Sequence, residues 1–195
     1  MDPLARTVRN LENLYSVVVA VGLTLAVERM VSIQQDEVRF GWTTMPALLA
    51  YIVTLVPFYH GAERHLEDAY VDNPRHGANP RRLLFDFGIL FIEACVLLGA
   101  AAVIQYPRAL LSAFIALWVI DIFWGSAARL IFRLKDEVMT WAIINLVAVI
   151  VFGVLWLITE TTGLNDLGLA WALLGISLVR TAVDYATAWE FYFPS

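Results

Sequence analysis

The feature that most constrains this chain is a series of six apolar segments, each close to the length of a bilayer-spanning helix. A helical span needs about 20 mostly apolar residues, because a helix rises about 1.5 Å per residue and the hydrocarbon core is about 30 Å thick. Stretches rich in Gly, Pro, Asn or charge separate the segments and are typical of turns. We therefore predict an all-α, polytopic membrane protein built as a six-transmembrane-helix bundle. The predicted spans cover 12–32, 44–60, 83–104, 108–133, 138–159 and 167–189.

The composition of the whole chain agrees with this prediction. Of its 195 residues, 60% are hydrophobic and 16% are charged, whereas soluble domains average about 45–50% and about 25%. The apolar excess extends along the whole sequence, so we predict a single transmembrane domain over 1–195. A net charge of −5 argues against nucleic acid as a partner. The single Cys95 excludes an intrachain disulfide, and we expect it to be a small buried apolar side chain.

The distribution of basic residues predicts the orientation of the bundle. With six spans, the N-terminus, the second and fourth loops and the C-terminus share one side. Positive charge marks the cytoplasmic side of membrane proteins. Eight basic residues lie on the side of the termini: Arg6, Arg9, Arg64, Arg75, Arg81, Arg82, Arg133 and Lys135. Three lie on the other side: Arg29, Arg39 and Arg108. We predict a multi-pass protein of the cell membrane with both termini in the cytoplasm.

The stretch FYHGAERHLEDAY (58–70) contains an unusually dense group of titratable residues. At 100° per residue its apolar side chains fall on one arc and most of its polar side chains on the other. We interpret it as an extension of the second span into the cytoplasm, at about 58–72, with a solvated face and an Arg64–Asp68 ion pair. A partner-binding or pH-responsive surface is the alternative interpretation. The cytoplasmic-face cluster comprises His60, Glu63, Arg64, His65 and Asp68.

A metal site in this stretch is not favoured. His60 and His65 are five residues apart and project about 140° from each other on a straight helix. They cannot easily bind one ion together, unlike the two His of an HExxH helix. We therefore predict no metal centre and no cofactor.

Ionisable residues inside the spans form a second group of candidates. Such residues are costly in lipid and usually face the bundle interior or water. Depth counted along the helices places Glu93, Asp121 and Arg180 at a similar level. One interpretation is a structural ion-pair network with Arg180 between the two carboxylates, and the other is a pathway for protons or ions. The predicted polar network comprises Glu93, Asp121, Arg180, Asp184, Asp86 and Asn145.

These observations favour a small channel or transporter for protons or small ions, with a polar cavity that opens to the cytoplasm. We expect it to work in the lipid bilayer as a homo-oligomer. One alternative is a membrane-anchored sensor or effector that acts through a cytoplasmic protein partner. The other is a membrane-embedded enzyme with a His/carboxylate site at the cytoplasmic face. The sequence contains no obvious nucleophile–base pair, so catalytic residues are not assigned.

Overall fold

Six long helices make up most of the chain in the computed structural model, which describes residues 3–34, 37–72, 80–132 and 137–193. Among these residues, six helices are long and apolar enough to cross a membrane. This confirms the predicted helical spans and suggests a membrane protein. The six helices are α1 Pro3–Glu28, α2 Met45–Glu67, α3 Pro80–Ala102, α4 Pro107–Phe132, α5 Glu137–Thr162 and α6 Asp166–Thr187. The predicted loop charges Arg75, Arg133 and Lys135 lie outside the described residues.

The helix ends follow from local sequence chemistry. Pro80 and Pro107 are the first residues of α3 and α4, a position where the missing N–H costs no hydrogen bond. Asn165 caps α6 by accepting a hydrogen bond from the backbone N–H of Gly168 at 2.8 Å. Gly163 has φ of 67°, which favours glycine and ends α5 just after its last turn.

The link between α1 and α2 differs from the prediction. The first span was expected to reach residue 32, but α1 ends at Glu28. An antiparallel hairpin follows, with β1 at Val31–Gln34 and β2 at Glu37–Phe40. The bundle is all-helical as predicted, and this short hairpin is an addition that the spans did not predict. β-branched and aromatic residues at 31, 33, 38 and 40 favour strands, and this signal is too short to register in a search for spans.

Two short elements complete the fold. The helix α2 continues into a π-helical turn over Asp68–Asp72. After α6, the backbone leaves helical geometry at Ala188, with φ −112° and ψ 26°, and the short helix α7 follows at Trp189–Tyr192. Both elements lie next to the polar part of the bundle described below.

Contacts between helices define the two ends of the bundle. Arg108 near the start of α4 contacts Glu160 near the end of α5, and Val8 near the start of α1 packs in one cluster with Leu66 near the end of α2, so these successive helices run antiparallel. The hairpin end contains β1 and β2. The termini end contains α7 and the start of α1, because Val8 packs in one cluster with Leu66 and Leu83. Both described ends of the chain thus lie at the same end of the bundle.

The half of the bundle next to the hairpin, called the hairpin half, has a close-packed apolar core. Trp118 and Phe152 make an edge-to-face contact with ring centroids 4.3 Å apart, and Phe114 packs beside them. All three side chains are 0% exposed. Trp118 is therefore a packing residue.

The outward surface of the helices is largely apolar, which suggests a lipid environment. Val17 on α1, Phe123 on α4 and Leu157 on α5 are among its exposed large side chains. Cys95 is also exposed, so the expectation that it is buried is wrong. Its neighbours Glu93 and Ala94 occupy the inward face of α3 instead.

Candidate functional site

Asp86 on α3 is the centre of a buried hydrogen-bond cluster in the half of the bundle next to the termini, called the termini half. Its side chain is 0% exposed. Tyr70 Oη donates to Asp86 Oδ2 at 2.6 Å, and Trp124 Nε1 donates to Asp86 Oδ1 at 3.0 Å. His65 Nε2 lies 3.1 Å from Oδ2, and Arg82 Nε lies 3.6 Å from the same oxygen. The structure therefore surrounds this carboxylate with donors from α2, α4 and the π-helical turn.

His65 is oriented by this cluster. Its ring makes an edge-on contact with Trp124, with centroids 4.8 Å apart. Because the Nε2–H group of His65 donates to the Asp86 carboxylate, the other ring nitrogen, Nδ1, is the acceptor when the imidazole is neutral. The arrangement of His and carboxylate is one that enzymes and proton carriers use to hold an imidazole in one tautomer.

A second network is built around Arg180 on α6. Its Nη1 donates to Asp184 Oδ2 at 3.0 Å, and its Nη2 donates to Asn145 Oδ1 at 2.7 Å. The amide of Asn145 donates to the Asp121 carboxylate on α4. Arg180 was expected to lie directly between Glu93 and Asp121. Its link to Asp121 instead passes through Asn145, because the guanidinium is occupied by Asp184 one helical turn further along α6.

Between the two networks lies a cavity of about 50 Å³. Because one water-sized sphere needs about 10–15 Å³ of such volume, the cavity has room for a few waters and not for a larger organic molecule. Its walls come from α2 to α7. The polar side chains among them are His65, Glu93, Asp121, Trp124, Trp141, Arg180, Asp184 and Tyr192.

Glu93 differs from the other carboxylates in this cavity wall. Its side chain is 2% exposed, and among the described residues its Oε1 has no hydrogen-bond partner. By contrast, Asp121 is bonded by Asn145, and Asp184 is bonded by Arg180 through Oδ2, although its Oδ1 also has no partner among the described residues. A buried carboxyl oxygen with no donor is costly unless a proton, a water or a cation satisfies it.

The charges around the cavity do not balance. Three carboxyl groups, those of Glu93, Asp121 and Asp184, share the wall with one guanidinium, that of Arg180. With all four ionised and His65 neutral, the sum is −3 + 1 = −2. Binding of protons or of small cations relieves this excess.

The 58–70 stretch is less uniform than its predicted solvated face. Arg64 and Glu67 form an ion pair at 2.6 Å on the outer side of α2, near the predicted members Glu63 and Asp68. His65 is buried against Asp86. His60 is half-buried, with Nδ1 3.2 Å from Tyr185 Oη. For the two His residues the surface interpretation is wrong, because α3 and the C-terminal aromatic residues cover their side of the helix.

The C-terminal residues also reach the cavity. Tyr192 on α7 is 4% exposed, and its hydroxyl donates to Asp184 Oδ2 at 3.3 Å. Burial among neighbouring rings, together with the nearby Asp184 carboxylate, raises the pKa of Tyr192. The phenol therefore remains a protonated donor over the whole physiological range.

Sequence reasoning missed the donors that complete the two networks. Tyr70, Trp124 and Tyr192 were not among the predicted site residues. Their spacing carries a weak signal, because Tyr and Trp buried in a protein usually find a hydrogen-bond partner. Within the described ranges, no three His, Cys, Asp or Glu side chains are arranged to hold a metal ion.

Comparison with protein families, curated proteins and solved structures finds no match for this chain. The function must therefore be argued from the cavity and its two networks.

Proposed function

We propose that the protein is a small membrane transporter or channel for protons or small cations, and that Glu93 and Asp121 bind the transported ion. The observation that carries this proposal is Glu93. It presents to the cavity a buried carboxyl oxygen that has no donor among the residues that the structure describes. Carboxylates buried inside membrane-spanning bundles typically mark proton and ion pathways.

Arg180 supports the same role, because its positive charge is paired with groups other than Glu93. It is bonded to Asp184 and Asn145 and so leaves the carboxyl group of Glu93 uncompensated. A site with surplus carboxyl groups can take up a cation without building a net positive charge in lipid. The small volume of the cavity, about 50 Å³, favours a proton or a largely dehydrated ion over an organic substrate.

His65 is the group that we propose relays protons between the cavity and the termini end. Asp86 holds its ring in place at 3.1 Å, and the ring lines the same cavity as Glu93. On the opposite side the apolar core of Phe114, Trp118 and Phe152 separates the cavity from the hairpin end. The cavity is therefore proposed to open toward the termini, with the apolar core as the barrier.

The direct test is proton flux into liposomes that contain the purified protein and a trapped pH-sensitive dye, with potassium and valinomycin fixing the membrane potential. Wild-type protein should collapse an imposed pH gradient faster than protein-free liposomes. Glu93→Gln should reduce the rate to the protein-free level, because the amide keeps the shape and cannot bind a proton. Glu160→Gln is the matched control, since Glu160 is an exposed residue that pairs with Arg108.

Two results would refute the proposal: wild-type flux no faster than that of empty liposomes, or equal flux from Glu93→Gln and Glu160→Gln. Replacing external sodium with a large organic cation separates protons from sodium, because only proton flux persists.

A second candidate, a membrane-embedded enzyme, is favoured by one specific observation. The pair of His65 and Asp86 resembles a general base with its orienting carboxylate, and Glu93 lines the same cavity. The enzyme hypothesis requires the cavity to enlarge to admit a substrate. It predicts that His65→Gln abolishes turnover of a lipid-soluble ester or amide probe. The transport proposal predicts no such turnover by the wild type.

A further inference from the structure

The chain turns back at the end of α6 and covers the cavity with its own C-terminal helix. The backbone leaves helical geometry at Ala188 and re-enters it for only four residues, Trp189–Tyr192. This brings Tyr192 into the cavity wall that also contains Glu93, with its hydroxyl on Asp184. The described C-terminal residues thus form part of the site and not only of the membrane interface.

Tyr192 fits a place prepared by small residues and rings. Its ring lies 4.9 Å from that of His60 and 4.5 Å from that of Tyr185. A Cβ atom added to Gly61 would lie 3.4 Å from Tyr192 Oη, so the glycine leaves room for the phenol against α2. The hydroxyl donates to Asp184 at 3.3 Å. The side chain is thus inserted as a stopper, with its polar end on one of the charged groups.

A second contact fixes α7 from outside the cavity. Arg64 Nε donates to the backbone carbonyl of Phe191 at 3.2 Å, and the Arg64 guanidinium lies 6.0 Å from the Phe191 ring. The same ring packs edge-on against Trp141 of α5 at 4.6 Å. Side chains of α2, α5 and α6 therefore hold a helix of one turn across the termini side of the cavity.

From this geometry we propose that α7 is a plug, with Tyr192 as the stopper and Ala188 as the hinge. In the closed position it separates Glu93 and Asp121 from solvent at the termini end, and its displacement opens the cavity. Among the described residues, the contacts that hold it are local, the two hydrogen bonds named above and several ring contacts, and small units with local contacts can open without unfolding of the rest. As a gate for ions, the plug rests on the proposed transport function. As a lid on the cavity, it does not.

The test measures how fast a small, positively charged methanethiosulfonate reagent modifies a cysteine placed in the cavity wall. Leu90→Cys, in full-length protein that also carries Cys95→Ser, supplies the reporter, because Leu90 lines the cavity and is 7% exposed. Adding Tyr192→Ala should speed modification about tenfold or more, since a loss of about 1.4 kcal/mol of closing free energy changes a population tenfold. Trp189→Ala is the matched control on the same helix, because Trp189 is 60% exposed and is not part of the cavity wall.

Arg64→Ala provides a second opening variant that leaves the cavity wall unchanged. It should also accelerate modification, by less than Tyr192→Ala, because it removes the outer contact to Phe191 and leaves the Tyr192 side chain in place. It decides the question if Tyr192→Ala cannot be purified in folded form. Equal modification rates in the Trp189→Ala control and in the opening variants would overturn the plug.

The outcomes separate the plug from the proposed function. Faster modification in the opening variants, with no proton flux from wild-type protein, would keep the lid and reject transport. Unchanged modification with clear, Glu93-dependent flux would reject the plug and keep transport. Faster modification together with faster flux in Arg64→Ala would support α7 as the gate.

Discussion

The hairpin half of the bundle has an apolar interior, whereas the termini half combines an apolar cluster, which includes Val8, Leu66 and Leu83, with buried charged groups. The hairpin half is filled by rings and aliphatic side chains, with Phe114, Trp118 and Phe152 fully buried. At the centre of the termini half, Asp86 and Glu93 are 0% and 2% exposed. In lipid, apolar side chains gain little by leaving the surface, so van der Waals packing and hydrogen bonds decide how helices associate. The hairpin half is therefore held by close packing of apolar side chains, whereas the termini half is also held by specific polar contacts.

The largest expected effect on stability comes from removing the carboxylate of the Asp86 cluster. Asp86→Ala leaves the donors of Tyr70 and Trp124, and the charge of Arg82, facing a gap. Removing one partner of a buried charge pair typically costs about 3–5 kcal/mol. We expect a loss of that order in the free energy of unfolding, measured by denaturant titration of the purified protein in detergent micelles.

Asp86→Asn serves as the matched variant, because the amide keeps the shape and one acceptor oxygen. It should fall between wild type and Asp86→Ala. A change of less than about 1 kcal/mol in Asp86→Ala would contradict the view that polar contacts hold the termini half together, because surface substitutions change stability by only about 0.5 kcal/mol.

The next largest effect concerns the apolar core of the hairpin half, formed around Phe114, Trp118 and Phe152. Phe→Ala in a soluble core costs about 3–5 kcal/mol. In lipid the part of this cost due to hydrophobic transfer is reduced. We therefore expect Phe152→Ala to lose about 2 kcal/mol in the same titration. The cavity with Glu93 should keep its structure.

Ile150→Ala is the control for this change, because Ile150 is on the same helix and 57% exposed. If the apolar core of the hairpin half is also the barrier to ions, the two halves differ in their permeability to protons as well. Phe152→Ala should then raise proton leak through Glu93-containing protein, and the added Glu93→Gln should remove that leak. A leak that persists without Glu93 would assign the barrier to bilayer disruption instead.

The sequence was sufficient to predict the six helical spans, because apolar length is a direct physical requirement for crossing lipid. It also brought Glu93, Asp121 and Arg180 to a common depth, and the structure places all three in the wall of one cavity. The rise per residue alone gives the depth of each side chain along its helix, and the order of the helices in the bundle is not needed.

Partner choice was not predictable in the same way. The burial of His65 depends on Asp86 of α3 lying against that side of α2, and a helical wheel contains no information on the neighbouring helix. Arg180 bonds to Asp184 and Asn145 because the rotation of α6 relative to α4 and α5 decides which side chains its guanidinium contacts. The position of Tyr192 depends on the break in the helix at Ala188. No Gly or Pro stands at this break, so the sequence does not predict it.

The smallest predicted effect tests the border between the two halves. Thr54 Oγ1 of α2 donates to Ser177 Oγ of α6 at 3.2 Å, and both side chains are 0% exposed. Interhelical hydrogen bonds in a membrane protein average about 0.6 kcal/mol in double-mutant cycles, with a maximum of about 1.7 kcal/mol. A cycle of Thr54→Val and Ser177→Ala should therefore give a coupling energy of about 0.6 kcal/mol. The measurement is denaturant unfolding of the two single variants and the double variant.

A cycle of Thr54→Val with Thr187→Val is the control, because Thr187 is exposed and donates to the backbone of its own helix. Its coupling should be zero within error, as for distant sites that share no partner. If the Thr54–Ser177 pair couples as weakly as this control, its hydrogen bond adds nothing to the α2–α6 contact. The α2–α6 border would then be held by apolar packing and by the hydrogen bond that Thr181 Oγ1 donates to the backbone carbonyl of Val53 at 3.0 Å.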